Sequence, residues 1–138
     1  QELKTLGLLS STVSFELHLS QIRDLSKPLP LEMLAYGRLP LMVTEHRLGG
    51  EAALLTDRRG EAFPVLAAPG GRSEIFNART LWLADRLDEL GALGLALLRL
   101  SFTTESQSDC LRVLRAYRSG GAFSETTQTR GLYYRGVE

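Results

Sequence analysis

The chain has 138 residues, enough for one domain or a substantial piece of a larger one, and its 16 basic and 16 acidic side chains cancel. Charges of both signs are interspersed, so there is no basic stripe for a nucleic-acid backbone and no basic amphipathic stretch for a lipid surface. No apolar run is long enough to span a bilayer and no signal peptide is evident, while the single cysteine, Cys110, excludes an internal disulfide and fits a reducing compartment.

In chain order, "QELKTLG" reads as the last two turns of a helix, with Leu3 and Leu6 on one face and Gly7 as its C-cap. No N-terminal cap precedes it, so the expectation is a fragment whose earlier part lies elsewhere. Leu8 to Leu17 is apolar and β-branched enough for a strand. "LSQIRDLSK" then offers Leu19, Ile22 and Leu25 as a short helical face, ended by Pro28 and Pro30. His18, just before it, is a surface or capping residue.

"LEMLAYG" and "LPLMVT" are the next two strands, with Gly37 as a bend between them. The apolar run Leu39 to Val43 reads as buried and stops at Thr44, Glu45, His46 and Arg47. Glu45 and His46 are residue types suited to acid–base work, but strand neighbours point to opposite faces, so both can serve one site only if the strand has ended there. The alternative is a solvated loop. "AALLTDRRGEAFPVLA" is a hairpin turning at Asp57–Gly60, with Arg58 and Arg59 exposed, and "APGGRSEIFNA" is irregular.

"TLWLADRLDELGALG" is the clearest helix, with Leu83, Leu87 and Leu90 at helical spacing, and "LALLRLSF" follows as a strand. Arg99, set between leucines, must be paired or must face a polar cavity; a ligand-facing role and a structural ion pair are both open. The last full helix is capped by Ser106 with Asp109, carries Leu111, Leu114 and Tyr117 as its apolar stripe, and stops at Gly120-Gly121. Cys110 in its first turn is either an activated thiol or a half-buried packing residue. One cysteine and two separated histidines, His18 and His46, make no zinc site, and neither a phosphate-binding glycine loop nor a serine elbow is present.

Buried-type strands separated by amphipathic helices imply βα units in an α/β fold, with the hairpin as an insertion over residues 49–80 of one 138-residue region. In such folds function collects where strands end. The strand ends here offer Ser14, Glu16, Tyr36, Arg38, the Thr44–Arg47 cluster, Ser101, Thr103 and Thr104.

"EMLAYGRLPLMVTEH", "LLTDRRGEAFPV", "GRSEIFNARTLWLADRLDEL", "LRLSFTTES" and "TRGLYYRGVE" occur in this order. Together they resemble the C-terminal half of the collagenase-like peptidases of unknown catalytic type, family 32 of the U class. The resemblance implies the closing portion of a (β/α) TIM-type barrel with an inserted β-hairpin, its N-terminal half missing, in a bacterial cytoplasmic protein. It implies a hydrolase or protease acting on a polymer, protein or peptide or RNA. Other members are implicated in oxygen-independent hydroxylation and bind an iron–sulfur cluster through four cysteines. The positions resembling those ligands fall on Arg47, on Ala53 or Leu54, on Gly71 before Arg72, and on Cys110. One thiolate cannot hold such a cluster, and Arg47 adds positive charge, so the expectation is no cofactor and no metal. A non-catalytic relative, or one related to the RNA hydroxylases, binding a partner or a small anion, is the alternative. The signature around "EMLAYG" keeps Glu32 and Gly37. Glu32, Tyr36, Glu45 and His46 are the candidate catalytic residues; Arg72, Asn77, Arg99 and Arg130 are candidate ligand-binding groups.

Overall fold

The computed structural model describes residues 2–50, 52–121 and 128–135. It divides into two compact units, Gln1–Gly37 with Leu81–Glu138, and Arg38–Thr80. We call them the βα unit and the meander unit. Residues 49–80, expected as an insertion, lie within the second of these units.

In the βα unit, α1 (Glu2–Thr5) ends at Gly7, whose φ of 77° lets the Leu8 N–H reach back to the Leu3 carbonyl. The strand expected over Leu8–Leu17 shrinks to β1 (Ser11–Thr12), because only these two residues pair with a neighbour. Next comes α2 (Leu19–Asp24), which buries Leu19 and Ile22 and leaves Leu25 exposed. His18 is its cap: Nδ1 accepts from the Ser20 N–H at 3.2 Å, and the Gln21 side chain accepts from the His18 N–H at 2.8 Å. At the other end the Lys27 ammonium donates to the carbonyls of Ile22, Arg23 and Leu25, which satisfies the open end of the helix.

One strand, β2 (Leu31–Thr44), replaces the two strands expected on either side of Gly37. Gly37 is instead where the two units divide. Its φ is 125°, and a Cβ there would lie 2.2 Å from the Ser101 carbonyl oxygen, so no side chain fits. β1 and β6 (Leu97–Leu100) both pair with β2 in parallel, opposing Thr12 to Glu32, Glu32 to Leu97 and Leu34 to Arg99. Three parallel strands with helices between them are the βα rhythm of the sequence.

The register of β2 against β6 shifts between Leu34 and Tyr36. Tyrosine hydroxyls meet the backbone at that bulge: Tyr133 donates to the Leu34 carbonyl at 2.8 Å and Tyr117 to the Ala35 carbonyl at 2.5 Å. Beside it lies an aromatic cluster. Tyr36 meets Trp82 and Tyr117 edge to face at 5.8 and 6.3 Å, and Trp82 meets Tyr117 at 5.4 Å, with Ala84 and Val113 closing the core.

The meander unit holds the second half of β2, then β3 (Ala52–Thr56), β4 (Ala62–Ala68) and most of β5 (Arg72–Trp82). β3 and β4 form the expected hairpin. Asp57 organises its turn by accepting the N–H groups of Arg59 and Glu61 at 2.8 and 2.9 Å, and Gly60 has φ of 82°. The stretch "APGGRSEIFNA" is not irregular: after the Gly70-Gly71 turn it runs as β5, antiparallel to β4. Its charged residues hide the strand from a hydropathy pattern, and the β4 ladder provides what the pattern lacks. Leu41, Met42 and Val43 are more than half exposed, so only Leu39 of the run Leu39–Val43 is buried.

The helix expected over "TLWLADRLDELGALG" starts late. Thr80 to Trp82 finish β5, the strand with which β7 (Gln128–Thr129) pairs. A single 3-10 turn (Ala84–Arg86) and α3 (Leu87–Gly91) follow. Four consecutive residues, Leu81 to Ala84, are buried, which a helix with one apolar stripe cannot achieve. In α4 (Gln107–Ser119) the Ser106–Asp109 capping box is present and Gly120, at φ 72°, ends the helix. Its stripe is rotated from the expectation: Val113 is buried and Ala116 and Tyr117 pack on the core, whereas Leu111 and Leu114 are nearly half exposed.

Among the described residues the strands make a seven-stranded mixed sheet in the order β1-β2-β5-β4-β3, with β6 on β2 and β7 on β5, and it is not closed into a barrel. Among the described residues no helix is long and apolar enough to cross a membrane.

Candidate functional site

Glu32 points out of β2 between two parallel neighbours, and both reach for it. Thr12 on β1 donates its hydroxyl to Oε1. Arg99 on β6 donates Nε to the same oxygen at 2.9 Å and Nη2 as a second, shorter contact. The parallel register that sets Thr12 against Glu32, and Glu32 two positions before the partner of Arg99, brings the three together. The Thr12 hydroxyl, then the Arg99 guanidinium, hold the Glu32 carboxyl below its usual range. Glu32 is an ionised acceptor at neutral pH and cannot serve as a proton donor. The Arg99 side chain is 55% exposed while that of Glu32 is 12% exposed, so the open side of the pair is the guanidinium. Of the two roles open for Arg99, the ion pair is present.

Tyr36 is buried in the aromatic cluster, and its hydroxyl donates to Glu105 Oε1 at 3.0 Å. Glu105 Oε2 accepts the N–H groups of Thr103 and Thr104 at 2.6 and 3.0 Å. The Tyr36 hydroxyl therefore anchors the loop from β6 to α4. Thr103 Oγ1 is buried there without a hydrogen-bond partner among the described residues.

Arg130 lies in the same unit. It grips Asp85 with two parallel bonds of 2.5 and 2.7 Å and donates to the Trp82 carbonyl at 2.7 Å. The pair shifts both groups: the Arg130 side chain holds the Asp85 carboxyl low, and Asp85 pushes Arg130 up. Asp85 and Asp88 also line a cavity of about 370 Å³ with Arg118 and the end of α4, and no residue chosen from the sequence lines it. Cys110 sits half-buried in the first turn of α4.

The remaining candidates belong to the meander unit. Glu45 and His46 follow β2 on an exposed turn, where the His46 N–H donates to Thr44 Oγ1 at 3.2 Å. Glu45 meets Arg72 at 3.9 Å with both side chains in solvent. Asn77 folds back on its own strand, its Oδ1 accepting the Arg79 N–H at 2.9 Å, and its carbonyl accepts from Arg38. Arg47 and Leu54 are exposed, and Gly71 has φ of 73°, in the β4–β5 turn. Among the described residues no group of three His, Cys, Asp or Glu side chains could hold a metal ion.

The eight residues thus fall into one structured array, Thr12–Glu32–Arg99, one clamp, Arg130–Asp85, a core tyrosine, the exposed Glu45, His46 and Arg72, and Asn77 within β5. Thr12, Asp85 and Glu105 were not legible as partners. The residues each of them joins lie 20 to 69 positions away in the chain, and no spacing rule reaches that far. No protein-family model matches the sequence, and comparison with curated proteins and with solved structures gives no match.

Proposed function

We propose that this chain supplies the closing strands of a (β/α) barrel of the collagenase-like peptidase type, and that the Thr12–Glu32–Arg99 array binds its polymeric substrate. The carrying observation is the array itself: an ionised carboxylate and a half-exposed guanidinium held together across three parallel strands. The order β1-β2-β6 supports the barrel. These parallel strands are neighbours in chain order once the meander is set aside, whereas a doubly wound sheet reverses its order. Among the described residues β1 and β6 each pair with β2 alone, so each has an outer edge free for a further strand. Leu97 on β6, 54% exposed, and Leu111 and Leu114 on α4 are apolar surface that such neighbours would cover; these would be the other half of the barrel. In a barrel the face opposite the helices is the interior, and residues of alternate strands meet there.

Glu32 and Arg99 form a neutral pair that offers an acceptor beside a donor. That combination orients an amide or a base edge without calling for a phosphate backbone, in keeping with the cancelling charges. Arg99 is the group that meets substrate, and Glu32 fixes its direction. A second reading, a relative that binds without turnover, is favoured by one observation. Glu32 is held ionised as an acceptor and the Tyr36 hydroxyl is committed to Glu105, so neither is poised as a general acid.

The test is capture from the intact protein, with bound peptides, RNA and small acids identified by mass spectrometry, beside a gelatin-cleavage assay. Arg99→Gln is expected to lose captured polymer and Glu32→Gln to weaken it. Cleavage by the wild type selects the peptidase reading, and capture without cleavage selects the binding reading. The same yield from wild type and Arg99→Gln would remove the array from function altogether.

A further inference from the structure

Residues 128–135 form little regular structure, yet they are tied into the βα unit at several separate places. β7 pairs with β5. Arg130 grips Asp85 and the Trp82 carbonyl. The Tyr133 carbonyl accepts the N–H of Leu19, the first residue of α2, at 2.9 Å, and the Tyr133 hydroxyl donates to the Leu34 carbonyl at 2.8 Å. Tyr133 has no exposed surface, and burial pushes its phenol up, so it remains a donor. Tyr134 bonds Glu89 at 2.6 Å on the outside.

The Leu34 carbonyl is the informative contact. It lies at the start of the bulge in β2, two residues from Glu32, and the register partner of Leu34 is Arg99. A bulge loosens the ladder and lets a strand re-aim its side chains. Tyr133 fixes the backbone at that point with a group from outside the sheet.

We propose that residues 128–135 act as a strap in which Tyr133 is a positioning residue, pinning the Leu34 carbonyl and thereby the side-by-side placement of Glu32 and Arg99. The strap governs the same array on which the proposed function rests, but its test reads the array directly and needs no ligand, so the two can fail separately. The groups that reach Glu32 are Thr12 from β1 and Arg99 from β6.

The experiment is an NMR titration of the Glu32 carboxyl carbon in the whole chain, with the Arg99 Nε–H signal followed in parallel. Tyr133→Phe keeps the buried ring and removes only the hydroxyl. The Glu32 midpoint is expected to rise toward the ordinary carboxylate value and the Arg99 signal to exchange faster. Arg130→Lys breaks the two-pronged grip and gives a smaller rise in the same direction. Tyr134→Phe, on the same strap but bonded to Glu89, gives no rise. An unchanged Glu32 midpoint in Tyr133→Phe overturns the proposal, as does an equal rise in Tyr134→Phe, which would mean general loosening. If Tyr133→Phe does not fold, Arg130→Lys decides: a rise supports the strap and no rise overturns it.

Discussion

The βα unit holds most of the deeply buried side chains and the meander unit few. Of the ten largest fully buried side chains among the described residues, all but Val65 and Ser73 belong to the βα unit, among them Trp82, Tyr133, Ile22 and Met33. Both units expose large apolar side chains: Leu41, Met42, Val43, Leu54 and Leu55 in the meander unit, and Leu9, Leu97, Leu111 and Leu114 among others in the βα unit. Helices packed with strands enclose side chains from several directions, whereas the meander has no helix among its described residues. Polar contacts reach furthest along the chain in the βα unit, where Glu32–Arg99, Tyr36–Glu105 and Tyr133–Leu34 are separated by 67, 69 and 99 residues. In the meander unit Arg38 reaches the Asn77 carbonyl 39 positions away, the Leu48 N–H reaches Ser73 25 positions away, and Asp57 bonds residues two and four positions on.

The largest loss of stability is expected at Trp82. Trp82→Ala removes the centre of the aromatic cluster and should cost about 3–5 kcal/mol in urea unfolding followed by circular dichroism. Leu54→Ala, at a side chain 67% exposed, is the counterpart and should stay within about 0.5 kcal/mol. Equal effects would mean that the two units do not differ in packing.

Gly37→Ala comes next. A Cβ 2.2 Å from the Ser101 oxygen, at φ of 125°, forces the backbone of β2 or of the Ser101 loop to move, and a loss of about 2 kcal/mol or more is expected. Gly60→Ala meets no atom within 4 Å and should show only its conformational cost, roughly 1 kcal/mol. Paired melting curves of the two variants separate crowding from strain.

Glu32, Asp85 and Asp109, all in the βα unit, have folded pKa values below their ordinary ones, held there by Thr12 and Arg99, by Arg130 and by Ser106. Their contribution is fully present above the ordinary carboxylate values and is lost as the pH falls through the lowered, folded ones. Trp82 is the single tryptophan and reports this unit. Its fluorescence should show falling urea midpoints below about pH 4, and Arg130→Gln should flatten that dependence. A profile unchanged by Arg130→Gln would mean that the Asp85 clamp adds nothing. The smallest effect is expected at Arg72→Ala: its contact with Glu45 is 3.9 Å long and in solvent, and removing it should change stability by less than about 0.5 kcal/mol.

Local chemistry was legible from the residues. The Ser106–Asp109 capping box, the glycine helix ends, the Asp57–Gly60 turn and the β3–β4 hairpin each depend on groups a few positions apart, which the sequence displays directly. So does the alternation of strands and helices behind β1, β2 and β6. Tertiary structure decided what depends on neighbours brought from far along the chain. Pairing made a strand of the charged β5, and Thr80–Trp82 finish that strand instead of opening the following helix. It set which face of α4 is covered, gave Arg99 to Glu32, and divided the candidate residues between two units. The physical reason is range: a cap or a turn is satisfied within a few residues, while the value of a buried carboxylate or an apolar face depends on what the completed sheet sets beside it.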